Sequence, residues 1–175
     1  MKTVKTIAQT FFIAASLLLL NSCNKDDDNP TPYVPVVPAN TSFITAKVNG
    51  ANFTTLLFGT STASCSRSGT GTSAMITILG GDMSANSITI FLDGNVGVGT
   101  QTVNITTNSL LNYSPGSGDQ AFSTGSCVGA TGTINITASD ETHIEGTFSF
   151  TGKETDDCSL SKTVTQGTFK GVFPS

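Results

Sequence analysis

The stretch that most narrows the fold is Gly132-Thr-Ile-Asn-Ile-Thr-Ala138 followed by Ile144-Glu-Gly-Thr-Phe-Ser-Phe150. Ile134, Ile136, Phe148 and Phe150 alternate with Thr, Asn and Ser, so each run has one apolar and one polar face. A period of two sends successive side chains to opposite faces of an extended chain, whereas a helical stripe needs apolar positions three and four apart. The two runs therefore read as an antiparallel hairpin with one face in a core and the other in water. Ser139 to His143 is the connecting loop.

The same period recurs along the chain. Ile44, Ala46 and Val48 alternate with Thr45 and Lys47, and Asn49-Gly50 is the dipeptide of a type I′ turn leading into Asn52 and Phe53. Ala74, Ile76 and Ile78 share a face; Gly80-Gly81-Asp82 with Ser84 to Asn86 turns the chain into Ile88, Ile90 and Leu92, and Asp93-Gly94 stops that run. Val103 and Ile105, then Leu111 and Tyr113, mark strands on either side of a polar turn at Thr107 to Ser109, before Pro115-Gly-Ser-Gly118 breaks the pattern. Val164 falls out of phase with Phe169 and Phe173 across Gln166-Gly167, which predicts a bulge at that glycine. Most Phe residues sit in phase with the core. After residue 22 no segment carries a helical stripe, and about eight to ten short strands with regular turn signals indicate an all-β fold, an antiparallel sandwich or a flattened barrel.

Ahead of this domain, taken as residues 42–175, stand two segments of other character. Lys2 and Lys5 precede an apolar run from Ile7 to Leu20, too short and wrongly flanked for a permanent span, so residues 1–22 read as a signal helix. Leu20-Asn-Ser-Cys23 resembles the lipobox of bacterial lipoproteins, from which Asn21 departs because a small or apolar residue is commoner there. The resemblance implies cleavage before Cys23, diacylglycerol on its sulfur, acylation of its freed amine, and hence a membrane held as partner through the N-terminal lipid. Three acyl chains would be an effectively permanent anchor, given about 0.8 kcal/mol per buried methylene. The alternative is an ordinary secretory signal with a chance cysteine.

Lys25, Asp26, Asp27 and Asp28 resemble the lysine-plus-acidic export signals of Bacteroidetes lipoproteins, which implies the outer membrane and the cell surface as address. A solvated acidic tether with periplasmic retention is the competing reading. Pro30, Pro32, Pro35 and Pro38 then make residues 23–41 a disordered tether, whose part from the acidic residues to Thr41 spans about 50 Å when extended at roughly 3.1 Å per residue. A proline-rich ligand for aromatic grooves is the other use of such a segment.

Charge excludes one class of partner. The formal charge is −4, and removing Lys2 and Lys5 leaves six basic residues against twelve acidic ones, or −6 from Cys23 onward. Such a surface does not attract phosphate backbones, so no nucleic-acid partner is expected. Charged residues are 11% of the chain, against about 25% in ordinary domains. The polar surface must therefore be built from Thr, Ser, Gly and Asn.

With Cys23 assigned to lipid, Cys65, Cys127 and Cys158 remain. Folding the hairpin about residues 141 and 142 places Cys127 nearly opposite residues 156 to 158, which predicts a Cys127–Cys158 disulfide worth roughly 3 kcal/mol; pairing of Cys65 with either is the alternative. No cofactor or metal is expected, because three cysteines and one histidine lack the CxxC-type spacing of zinc sites. Asp140 with Glu141 and Asp156 with Asp157 fit no calcium loop and read as solvated turns. Gly125-Ser-Cys-Val-Gly129 imitates a nucleophile elbow without the helix that an elbow requires. His143 beside Glu141 reads as a turn residue rather than a general base. Gly94-Asn-Val-Gly-Val-Gly99 lacks the lysine and helix of a phosphate cradle, and Asn135-Ile-Thr137 reflects a Thr- and Asn-rich strand surface.

Phe43-Ile-Thr-Ala-Lys-Val-Asn-Gly-Ala-Asn-Phe53, the Ile144 to Phe150 strand and Val164-Thr-Gln-Gly-Thr-Phe169 resemble the small β-rich lipoprotein domains of unknown function common in Bacteroidetes. That likeness spans most of residues 42–173 and brings no functional residues. The expectation is a noncatalytic surface module, with no catalytic residues, that binds an extracellular ligand or protein or serves a structural role. A lipocalin-like carrier of a small apolar molecule and a polymer hydrolase are the alternatives. Glycan capture is disfavoured by the absence of Trp.

Overall fold

The computed structural model describes residues 39–118 and 120–174. The expected signal helix, Cys23, Lys25, Asp26, Asp27, Asp28 and the proline-rich run through Pro38 lie outside the described residues. From Phe43 onward the chain is antiparallel β structure interrupted by turns and one 3-10 turn at Gly71–Ser73, the all-β class that the alternation predicts.

Strands β1 (Phe43–Val48) and β2 (Ala51–Thr54) pair so that Val48 faces Ala51 across Asn49 and Gly50. Their φ values of 46° and 86° make the expected type I′ turn. A small hairpin, β3 (Leu56–Leu57) and β4 (Thr60–Ser61), follows. β5 (Ser64–Ser68), β6 (Met75–Gly81), β7 (Ser87–Asp93), β8 (Gly99–Asn104), β9 (Leu110–Ser114), β10 (Phe122–Ser123), β11 (Thr131–Ser139), β12 (His143–Glu154) and β13 (Ser161–Val172) complete the chain. The thirteen strands among the described residues exceed the eight to ten expected. The dipeptides β3, β4 and β10 are too short to show a period, and serine-rich β5 turns a single apolar side chain, Cys65, to the core.

The main sheet runs β2-β1-β13-β12-β10-β9-β7-β6-β5, with β11 beside β12 and β8 outside β11. β12 is the seam, because one edge pairs with β13 while the other pairs with β11 and then β10. Beyond β10 the sheet curls back over itself. Leu111 of β9 crowds Gly132 of β11, and Cys65 and Ile78 crowd Gly171 of β13, so closely that a Cβ at either glycine would collide. The outcome is a curled half-barrel sheet, with β3–β4 as a second small sheet. Its interior is filled by Ile76, Ile78, Ile88, Ile90, Leu92 and Leu111 from one side and Ile44, Ile134, Ile136, Phe148, Phe150, Val164 and Phe169 from the other. Burying each such side chain contributes about 1.5–3 kcal/mol, the main force holding the curl closed.

The out-of-phase stretch of β13 is a bulge, as expected. Val164 pairs with Phe150 and Gly167 with Phe148, so Thr165 and Gln166 together oppose Ser149. The left-handed residue is Gln166, with φ 52°, while Gly167 is needed because a Cβ there would strike the ring and carbonyl of Phe148. The Ser139–His143 loop is tighter than expected, since β11 and β12 extend into it from both sides with a second irregularity between Ile136 and Ala138. Ile105 departs from the sequence reading: β8 ends at Asn104, whose Oδ1 accepts hydrogen bonds from the amide and hydroxyl of Thr106 at 2.9 and 2.7 Å. That side-chain turn pulls Ile105 out of the ladder and leaves it 49% exposed.

The outer face of β8, β11, β12, β13, β1 and β2 answers the shortage of charge. Thr100, Asn135, Thr147, Thr168, Thr45 and Thr54 follow one another in register across all six strands. Neutral hydroxyls and amides make up most of this row, with one ion pair beside it, Lys170 Nζ to Glu145 Oε2 at 3.7 Å.

Candidate functional site

Polar groups from separate strands converge where the β1–β2 turn, the β6–β7 turn and the start of β13 meet. A pocket of about 140 Å³ opens there, lined by Asn49, Asn52, Asp82, Asn86, Tyr113 and Lys162 over an apolar floor that includes Val48 and Phe53. Asp82 builds the β6–β7 turn: its Oδ1 accepts the amides of Ser84 and Asn86 at 2.8 and 3.0 Å, and its Oδ2 accepts the side-chain amide of Asn86 at 2.8 Å. Asn86 is thereby oriented with its Oδ1 inward, where it accepts from the Tyr113 hydroxyl at 3.2 Å and the Gly116 amide at 3.0 Å.

Burial, and secondarily the charge of Asp82, push the Tyr113 phenol above its ordinary value, so it stays protonated as a donor. Lys162 enters from β13 with its Nζ 5.6 Å from the centroid of the Phe122 ring, within cation–π reach. The β1–β2 turn is held against β13 by the Thr163 amide, which donates to Asn49 Oδ1 at 2.9 Å. An ammonium, a phenol, amides and one carboxylate can grip a small polar group. The volume is below the roughly 300–1,000 Å³ of ordinary ligand sites, so the pocket suits the end of a ligand rather than a whole one. The lining contains no imidazole and no thiol with which to build a nucleophile–base pair.

Sequence reasoning put Asp82 and Asn86 in a turn and Tyr113 in a strand without bringing them together. The available signal was the aspartate that opens the turn and the asparagine that closes it, a pairing suited to reciprocal side-chain bonds. Lys162 carried no signal, since its place in the pocket depends on the curl of the sheet.

Cys127 and Cys158 form the expected disulfide, with Cα atoms 5.8 Å apart. It ties the loop after β10 to the loop after β12. Beside it Glu154, buried, accepts the amides of Asp156 (3.1 Å) and Asp157, and Lys153 Nζ donates to the Val128 carbonyl at 3.0 Å. The sulfur of Cys127 is therefore structural, and the glycine-flanked segment around it is a loop without a following helix. Cys65 is unpaired among the described residues, and burial pushes its thiol up to about 11.

The remaining candidates are dispersed. His143 pairs with Asp140 rather than Glu141, its Nδ1 3.2 Å from Asp140 Oδ2. Asp140 Oδ1 accepts the amides of Thr142 and His143 and the Thr142 hydroxyl, and those hydrogen bonds hold its carboxyl down to about 2. Asp157 is likewise engaged by the hydroxyl and amide of Ser159, which lower it. Among the described residues no three His, Cys, Asp or Glu side chains converge. Gly94 to Gly99 leads into strand β8, and Asn135 accepts the Thr100 hydroxyl at 3.0 Å on the open face of the sheet.

Compared with known proteins, residues 40–173 match a family described as a domain of unknown function, DUF6252. No curated protein and no solved structure matches the chain.

Proposed function

The chain belongs to the DUF6252 family, and on that premise we propose that it is a noncatalytic, lipid-anchored lipoprotein of the bacterial outer membrane. The proposal includes surface display, with the domain serving as a binding or structural module. One observation carries the anchor: an apolar run closes on Leu20-Asn-Ser-Cys23, and Lys25, Asp26, Asp27 and Asp28 follow at once. The apolar run supplies the export address, the cysteine the acylation site, and the acidic cluster the sorting feature.

The domain supports the binding half of the reading by where its polar groups lie. Its interior is filled by branched and aromatic side chains, so a partner would be met at the surface. The pocket of Asn86, Tyr113 and Lys162 is the place for the polar end of that partner. Metabolic labelling of the producing cells with an alkynyl fatty acid tests the anchor: label is expected on the native chain and absent from Cys23→Ser. Unlabelled native protein overturns it. Digestion by protease added to intact cells is expected for a surface chain, and full protection would overturn surface display.

A further inference from the structure

The β3–β4 hairpin breaks a rule that the same chain keeps elsewhere. Its two-residue turn, Phe58-Gly59, has φ values of 49° and 85°, close to the 46° and 86° of Asn49-Gly50. The first place of a type I′ turn favours Asn, Asp or Gly, and a bulky side chain there strains the backbone. Phe58 recovers nothing by packing, because it is 93% exposed. Folding alone would select Asn at this position, as at Asn49. A strained, unburied aromatic is instead the mark of a residue held out for something beyond the domain.

The hairpin is aimed, since its base is fastened. Buried Thr55 donates its amide to the Ile44 carbonyl at 3.0 Å, accepts the Ile44 amide on its hydroxyl at 2.9 Å, and receives the Thr62 amide on its carbonyl at 3.0 Å. Beside it, Ser61 and Ala63 share a shallow hollow with Asn40, Thr41, Ser42 and Phe173. The hairpin and the start of the described chain therefore lie on one side of the domain. Neither residues 39–46 nor residues 51–66 contain an Asp, Glu, Lys or Arg.

We propose that Phe58, with the half-buried Leu57 beside it, inserts into the interfacial layer of the lipid bilayer that holds the chain's own anchor. This rests on the lipid-anchor reading, which brings the domain to that surface. The tip's own residues carry no charge, so it enters such a layer without desolvating one, while Arg67, 4.1 Å over the Phe173 ring of the neighbouring hollow, is a charge on that side. The described chain begins beside the hairpin, so the domain's attachment to the tether lies on the hairpin's side. Two side chains bury too little area to hold a protein alone, but a tether raises the local concentration that lets a weak contact form. An apolar groove on a partner protein would also accept the tip; the tether and the uncharged tip favour the bilayer.

Trp is absent from the chain, so Phe58→Trp places a lone indole at the tip. The full chain carrying it is reconstituted on phosphatidylcholine–phosphatidylethanolamine vesicles, with and without brominated acyl chains. Blue-shifted, bromine-quenched emission is expected, whereas Val128→Trp, at a position 83% exposed in the disulfide loop, should keep the emission of indole in water. Adding Cys23→Ser should abolish flotation with the vesicles and most of the quenching. An unquenched indole at the tip of a chain that floats overturns the tip contact, leaves the anchor standing and assigns the tip to a protein partner. If the chain carrying native Cys23 does not float, the anchor reading fails; quenching at high lipid excess would then still support the tip, and its absence would overturn it. Phe58→Asn is expected to raise the thermal midpoint by relieving the turn, and a lowered midpoint would refute the strain from which the inference starts.

Discussion

Replacing Cys127 and Cys158 together by alanine is expected to lower stability by about 3–4 kcal/mol. The two cysteines stand 31 residues apart, and closing a loop of that length removes roughly 12 cal/mol/K of entropy from the unfolded chain, about 3.5 kcal/mol at 25 °C. Cys127 is buried and Cys158 exposed, so the packing lost with the sulfurs is confined to the Cys127 side. At about 2.1 cal/mol/K of unfolding entropy per residue, a domain of this size should lose about 12 °C in thermal midpoint. Melts followed by circular dichroism would compare oxidised native protein, native protein in reductant, and the double variant. The last two should coincide. Cys65→Ala should retain the full response to reductant, because Cys65 lies outside the bridge. A native midpoint indifferent to reductant, or a Cys65→Ala variant that loses the response, would refute the assignment and the entropy argument with it.

Gly146→Ala should cost at least about 2 kcal/mol by denaturant midpoint, since its Cβ would collide with the Asn135 carbonyl inside the β11–β12 ladder. Stability should fall with pH between about 9 and 11 through Cys65, whose folded thiol is raised to about 11. In that window the unfolded thiol loses its proton while the folded one keeps it, a loss approaching about 1.4 kcal/mol per pH unit that Cys65→Ala should remove from alkaline melts. Tyr113→Phe should destabilise by about 1 kcal/mol in urea titrations, through loss of the 3.2 Å bond to Asn86.

Much of the half-barrel was legible because its strands keep one face dry. Ile134, Ile136, Phe148 and Phe150 alternate without interruption, and all four are buried. The Asn49-Gly50 turn needed only the backbone preference of two residues, and the bulge at Gln166 needed only a phase slip between Val164 and Phe169. The disulfide followed from hairpin register, since a ladder that pairs Thr131 with Thr151 brings the flanking segments together. Hidden features were those too short to have a period: β3, β4 and β10 are dipeptides. Phe58 was hidden for another reason, because an exposed aromatic in a short segment reads like a core residue until its turn is known.

Local chemistry, written in consecutive residues, determined the all-β class, the turns, the bulge, the surface of neutral hydroxyls and the partner of Cys127. These depend on side-chain alternation and on dihedral preferences that act over a few positions. Only the tertiary structure decided that Tyr113, Asn86, Asp82 and Lys162 share a pocket, that Cys65 lies against Gly171, and that Phe58 stands clear of the core. Those outcomes depend on how far the sheet curls beyond β12, a collective result of packing many large side chains into one interior that no single stretch of the chain encodes.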